Sequence, residues 1–85
     1  MVTQDIILKN EEGLHARPAT EIAKSASKYS CDIKLEVRGT EYNAKSVIHI
    51  MSAGIKNNTQ IKIICDGVDE GQALAEIVEL FEKLP

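Results

Sequence analysis

The sequence predicts an α+β domain in which three helices cover one face of a four-stranded antiparallel sheet. Three observations carry this expectation. Segments of alternating apolar residues and segments of helical periodicity follow one another in the order βαββαβα. Each helical segment has one apolar stripe and each strand one mainly apolar face, so the economical packing puts the stripes on one side of the sheet and leaves the other side solvated. Eighty-five residues with 44% hydrophobic content and no low-complexity stretch suit a single domain spanning residues 1–85.

The elements follow in order. Ile6 and Leu8 alternate with Ile7 and Lys9 before the polar stretch Asn10-Glu11-Glu12-Gly13, so a strand runs here into a loop. Pro18 disfavours helical geometry at Arg17 yet fits a first helical turn, which places a helix start close to His15. Ala19, Ile22, Ala23 and Ala26 then fall at helical spacing with Glu21, Lys24, Ser25 and Lys28 on the other face, and this helix should end near Lys28 or Tyr29. Ile33, Leu35 and Val37 alternate with Lys34 and Glu36, and Arg38-Gly39 turns the chain into Thr40 to Asn43, the pattern of a hairpin. Ser46 precedes Val47, Ile48, Ile50 and Met51, and Gly54 follows, which reads as a short helix with a Ser cap and a Gly stop. Those four apolar side chains surround a helix too narrow to bury them all, so some should stay exposed as a contact patch. Ile61, Ile63 and Cys65 alternate into the turn Asp66-Gly67. Asp69 can cap the last helix, with Gln72 three residues on and Ala73, Leu74, Ile77, Val78, Leu80, Phe81 and Leu84 as its apolar stripe.

Composition narrows the function. One Phe, two Tyr and no Trp leave the core to aliphatic side chains and argue against base-stacking nucleic-acid modules. A formal charge of −3 opposes attraction to phosphate backbones, so direct nucleic-acid binding is not expected. Residues 1–56 carry eight Lys/Arg against seven Asp/Glu, and residues 57–85 carry two against six, so the cations that could meet an anionic partner lie in the first two thirds. No apolar run approaches membrane-spanning length, and Met1-Val2-Thr3-Gln4-Asp5 lacks a basic then apolar signal pattern, so a cytoplasmic protein without membrane insertion is expected. Cys31 and Cys65 are far apart and form no CxxC pair, which reads as reduced core thiols. Together with His15 and His49 they show no recognised metal spacing, and no cofactor motif is present.

Two positions combine a phosphorylatable side chain with a predicted helix start: His15 and Ser46. A helix start offers unpaired N–H groups and a positive dipole end, which together stabilise a phosphoryl group attached there. At His15 the dipole also disfavours the imidazolium and keeps a ring nitrogen nucleophilic. Arg17 can donate charge-assisted hydrogen bonds to phosphoryl oxygens, Gly13 permits a tight loop, and Pro18 stiffens the turn that aims His15.

The run Gly13-Leu14-His15-Ala16-Arg17-Pro18-Ala19 resembles the active-site motif of the HPr family, the histidine-containing phosphocarriers of the bacterial sugar phosphotransferase system. Asn43-Ala44-Lys45-Ser46-Val47-Ile48 with Met51-Ser52-Ala53-Gly54 resembles the segment around that family's regulatory serine, and Gly67-Val68-Asp69-Glu70 the turn before its last helix. The likeness spans nearly the whole chain, in order and spacing. It implies an open-faced β-sandwich in which His15 is phosphorylated at Nδ1 by enzyme I and passes the group to enzyme IIA domains, with Arg17 steadying it. It also implies phosphorylation of Ser46 by HPr kinase/phosphorylase and engagement of a catabolite-control transcription factor. No cofactor is implied, and the chain acts as a covalent relay rather than a catalyst. A monomer is expected, because one surface must dock two partners in turn. Thr20, Val47, Ile48 and Met51 are the candidate contact residues, with Lys24 and Lys45 steering encounter.

Two positions depart from the family pattern. Glu12 stands where a small polar residue is common, so Glu11 and Glu12 bring two carboxylates to the loop before His15. Negative charge there should slow phosphoryl loading unless the side chains point to solvent. His49 stands where Gram-positive members commonly have Gly. The competing readings are an interaction-only relative signalling through Ser46, a carrier in a nitrogen-linked phosphotransfer chain, a stand-alone enzyme, and a ferredoxin-like binding domain. An intact His15 opposes the first, the Ser46 context the second, and the absence of a GxSxG elbow, P-loop or HExxH the third. The scarcity of aromatics opposes an RNA-binding version of the fourth.

Overall fold

A computed structural model describes residues 1–84. The elements are β1 (Val2–Ile7), α1 (Ala16–Ala26), β2 (Asp32–Val37), β3 (Thr40–Asn43), α2 (Val47–Ser52), β4 (Gln60–Asp66) and α3 (Glu70–Lys83). The strands form one antiparallel sheet in the order β1-β4-β2-β3. This is the βαββαβα open-faced sandwich expected from the periodicities.

Alternation decides which face is covered. Ile33, Leu35 and Val37 of β2 and Ile61, Ile63 and Cys65 of β4 are buried, and register pairs Ile33 with Cys65 and Leu35 with Ile63, so they share one face. Ile22 and Ala26 of α1, Ile50 of α2 and Ile77 and Phe81 of α3 complete the same core. Asp5, Lys34 and Glu41, on the opposite face, are exposed. The hairpin between β2 and β3 turns at Arg38 and Gly39, both left-handed at φ 52° and 81°, which matches the twist of the strands it joins. Arg38 Nη2 donates to the Ala53 carbonyl at 2.6 Å, tying that turn to the end of α2.

Four local expectations need correction. β1 begins at Val2 rather than near Ile6, because pairing with β4, from Val2 against Cys65 to Ile7 against Gln60, stabilises the polar run Thr3-Gln4-Asp5 as strand. Leu8 lies just beyond it, buried, with its N–H on the Thr59 carbonyl at 2.9 Å. α1 ends at Ala26, two residues early, and the chain tightens into turns in which Lys28 and Tyr29 N–H reach the Ser25 and Ala26 carbonyls at 3.2 Å. Ser25, assigned to the polar face, is buried against Glu76 of α3. The Asp69 side chain makes no cap on α3; its carboxylate accepts from the Ser30 and Cys31 N–H groups at 2.8 and 2.9 Å. Those two amides lie in the connection between α1 and β2, and they hold the carboxyl below its usual range, Ser30 most. Glu70 Oε1 accepts from Gly67 N–H at 3.1 Å and closes the turn instead.

Cys31 and Cys65 are both buried and free. Burial is the main cause that pushes the Cys31 thiol up to about 11 and raises Cys65 as well, so both are poor nucleophiles.

Candidate functional site

The loop from Leu8 to His15 is held by its own short-range chemistry and by the segment before β4. Asn10 is buried; its Oδ1 accepts from Glu12 N–H at 3.1 Å and its carbonyl from Gly13 N–H at 2.9 Å, a side-chain-stabilised turn. Asn57 Oδ1 accepts from Asn10 N–H at 3.1 Å, and Leu14 N–H reaches the Ile55 carbonyl at 3.0 Å. Gly13 takes φ 72° where the two segments meet.

His15 is the N-cap residue of α1, with extended backbone at φ −82° and ψ −169°, and its side chain makes no capping bond. Its carbonyl accepts from Ala19 N–H at 3.0 Å and opens the helical ladder. The side chain is 43% exposed, and Nε2 lies 3.0 Å from Glu12 Oε1. Among the described residues nothing bonds Nδ1. The N–H groups of Ala16 and Arg17 have no helical acceptor, and Pro18 has no N–H to satisfy, so two donors and the dipole end lie beside the ring. The arrangement leaves one ring nitrogen free to attack an electrophile at a site that favours the added negative charge.

Two surface grooves flank the ring. One is lined by Lys9, Asn10, Glu11, Glu12, Asn57 and Asn58; the other by Arg17, Pro18, Glu21, Leu80, Lys83 and Leu84. Arg17 is therefore exposed beside His15. Thr20 is exposed, with its hydroxyl turned back to the Ala16 carbonyl at 2.7 Å. Lys24 lies further along α1, in a groove shared with Lys28 and Glu76.

The second candidate region is α2, which packs against α1. Ser46 is its N-cap, and its hydroxyl accepts from His49 N–H at 3.2 Å. Ile50 faces the core, Val47 is half-buried, and Ile48 and Met51 are 81% and 45% exposed, so the expected apolar patch is present. Lys45 is more constrained than a steering cation needs to be: its ammonium donates to the Tyr29 carbonyl at 2.7 Å. His49 stacks edge-on against Tyr42 and its Nδ1 accepts from Asn43 N–H at 2.9 Å, bracing the end of β3. Sequence reasoning missed the roles of Asn10, Asn57 and His49. Only Asn10 left a local signal, an Asn directly before an acidic pair and Gly. Among the described residues no group of His, Cys, Asp or Glu is arranged to hold a metal ion, and no helix is long and apolar enough to cross a membrane.

An open-faced sandwich that presents an exposed imidazole at the first turn of a helix defines the class of small histidine phosphocarrier domains. The comparisons agree. The family model described as the PTS HPr component phosphorylation site matches residues 2–83. The chain is 46% identical over 78 residues to the phosphocarrier protein HPr of Mycoplasma genitalium, covering 91% of this chain and 89% of that one. It superposes with TM-score 0.92 on HPr from Thermoanaerobacter tengcongensis at 40% identity, covering 96% and 92% of the two chains. It also superposes with TM-score 0.80 on the Bacillus subtilis catabolite repression protein Crh, solved as a domain-swapped dimer, at 32% identity over 100% of this chain and 98% of that one. The chain belongs to the HPr family, the phosphocarrier component of the phosphotransferase system.

Proposed function

We propose that this protein accepts a phosphoryl group from enzyme I on Nδ1 of His15 and delivers it to enzyme IIA domains. The observation that carries the reading is the His15 ring itself: exposed, at the start of α1, with Glu12 near Nε2 and, among the described residues, no bond to Nδ1. Nδ1 attacks phosphorus, the transferred oxygens face the Ala16 and Arg17 N–H groups, and the Arg17 guanidinium neutralises their charge. Its partners supply the phosphoryl donor on one side of the transfer and the acceptor on the other. Incubation with enzyme I and phosphoenolpyruvate, followed by intact-mass measurement, is expected to add one phosphoryl group to the parent and none to His15→Ala. Equal loading of the two would overturn the assignment.

Ser46 is proposed as a second, regulatory phosphorylation site, read by HPr kinase/phosphorylase and a catabolite-control transcription factor. Its hydroxyl caps α2 beside Ile48 and Met51, so a phosphate there would sit at the edge of the apolar patch. The likeness to Crh supports such a role alongside carrier function. An interaction-only role would leave the exposed His15 without a use.

A further inference from the structure

We propose that Glu12 is a positioning residue that keeps the Nε2 proton on His15 throughout phosphoryl loading and delivery. The proposal rests on His15 Nδ1 being the acceptor. Glu12 Oε1 lies 3.0 Å from Nε2, so a proton on Nε2 has a carboxylate beside it, and that tautomer leaves Nδ1 as the bare nitrogen. The backbone that carries this side chain is held in place, because Asn10 is buried and its Oδ1 accepts from the Glu12 N–H at 3.1 Å. The other charged groups around the ring are Lys9 and Glu11 from the loop, Arg17 and Glu21 from α1, and Lys83 from α3. Lys9 is bonded to Asn58 at 3.0 Å and Lys83 to Glu79 at 2.7 Å; among the described residues only Glu12 touches the imidazole.

The proton matters because of what the ring becomes. In loading, the Nδ1 lone pair forms a bond to phosphorus while the bond from phosphorus to the donor atom of enzyme I breaks and its electron pair stays with the donor. Nε2 keeps its proton, so the neutral ring becomes cationic. In delivery the acceptor attacks phosphorus, the Nδ1–P bond breaks, its electron pair returns to Nδ1, and a neutral imidazole departs. If Nε2 had lost its proton, the departing group would be an imidazolate, a far stronger base and a poorer leaving group. A carboxylate on Nε2 therefore holds the phosphorylated ring in its transferable form. The same charge repels an incoming phosphoryl group, so its two effects on loading rate oppose each other. Its effect on proton retention has one sign, and proton retention is the property to measure.

The test uses the full chain with ¹⁵N-labelled histidine, as parent, Glu12→Gln, Glu12→Asp and Glu12→Ala. In the phosphorylated protein, the pH at which Nε2 loses its proton is expected to fall by about half a unit in Glu12→Gln at low ionic strength, the size of a surface ion pair, and by less in Glu12→Asp. The difference should shrink in high salt. Equal midpoints in parent and Glu12→Gln would overturn the proposal. Before any phosphorylation, the two ring ¹⁵N shifts of the parent at alkaline pH should be widely separated, as in a single tautomer, and should draw together in Glu12→Ala. Shifts that do not move overturn the proposal as well. A protein that never loads His15, yet shows the tautomer change, overturns the carrier reading and leaves Glu12 in its place.

Discussion

Gly13 is where two segments of the site come closest. At φ 72° it adopts a conformation that L side chains rarely take, and a Cβ built on it would lie 2.6 Å from the Ile55 carbonyl oxygen. That oxygen also receives the Leu14 N–H, so it cannot move away without loosening the residue next to His15. Gly13→Ala is expected to cost about 2 kcal/mol through strain and a disturbed hydrogen bond, lowering Tm by roughly 10 °C, with slower phosphoryl loading at temperatures where the variant is still folded. Thermal unfolding followed by circular dichroism checks this, and an unchanged Tm would contradict it. Glu12, one residue earlier, shows the reach of a single substitution: its side chain stays largely exposed, yet its carboxylate lies 3.0 Å from the His15 ring.

Between elements, the most concentrated polar contact joins the end of α1 and the turn after it to α3. Glu76 of α3 receives the Ser25 hydroxyl, the Tyr29 hydroxyl at 2.6 Å and the Lys28 ammonium at 2.6 Å. Lys28 first, then Ser25 and Tyr29, bring the Glu76 carboxyl down to about 2, and the same carboxylate pushes the Tyr29 phenol up to about 12. An acid held below its unfolded value stabilises the fold above that value and loses the contribution as pH falls through the folded one. The contribution of Glu76 is thus full above about pH 4.5 and lost toward about pH 2. Glu76→Gln is expected to be less stable than the parent at neutral pH and to lose less further stability across that acid window. Urea titrations at several pH values measure it, and parallel acid profiles would rule the mechanism out. These contacts join residues about fifty positions apart, so no local pattern announces them.

For the molecule as a whole, the helix-covered face carries both candidate regions, since α1 and α2 pack together and hold His15 and Ser46 at their starts. A partner docking over Ile48 and Met51 would meet a surface whose polar margin includes Ser46. A negative charge there adds to a chain already at −3 and would weaken encounter with an acidic partner surface. Ser46→Asp is expected to leave stability within about 0.5 kcal/mol, because Asp is as good a cap as Ser. It should slow His15 loading roughly tenfold at low salt, with the deficit shrinking as ionic strength rises. Stopped loading assays across a salt series check the outcome, and a variant loaded as fast as the parent would refute it.

The strand and helix order, the face that is buried, the Ser46 cap and the position of His15 at a helix start were all legible from the sequence. They depend on period, caps and turn residues, which act over a few positions. Only the tertiary structure decided that Thr3-Gln4-Asp5 is strand, that Asp69 serves the Ser30 and Cys31 amides, that Ser25 is buried, and that Glu12 faces His15. Each of these depends on a donor, acceptor or neighbouring strand brought close by folding. A polar group's partner is set by which unpaired group lies within about 3 Å after the chain has packed, and sequence spacing does not encode that distance.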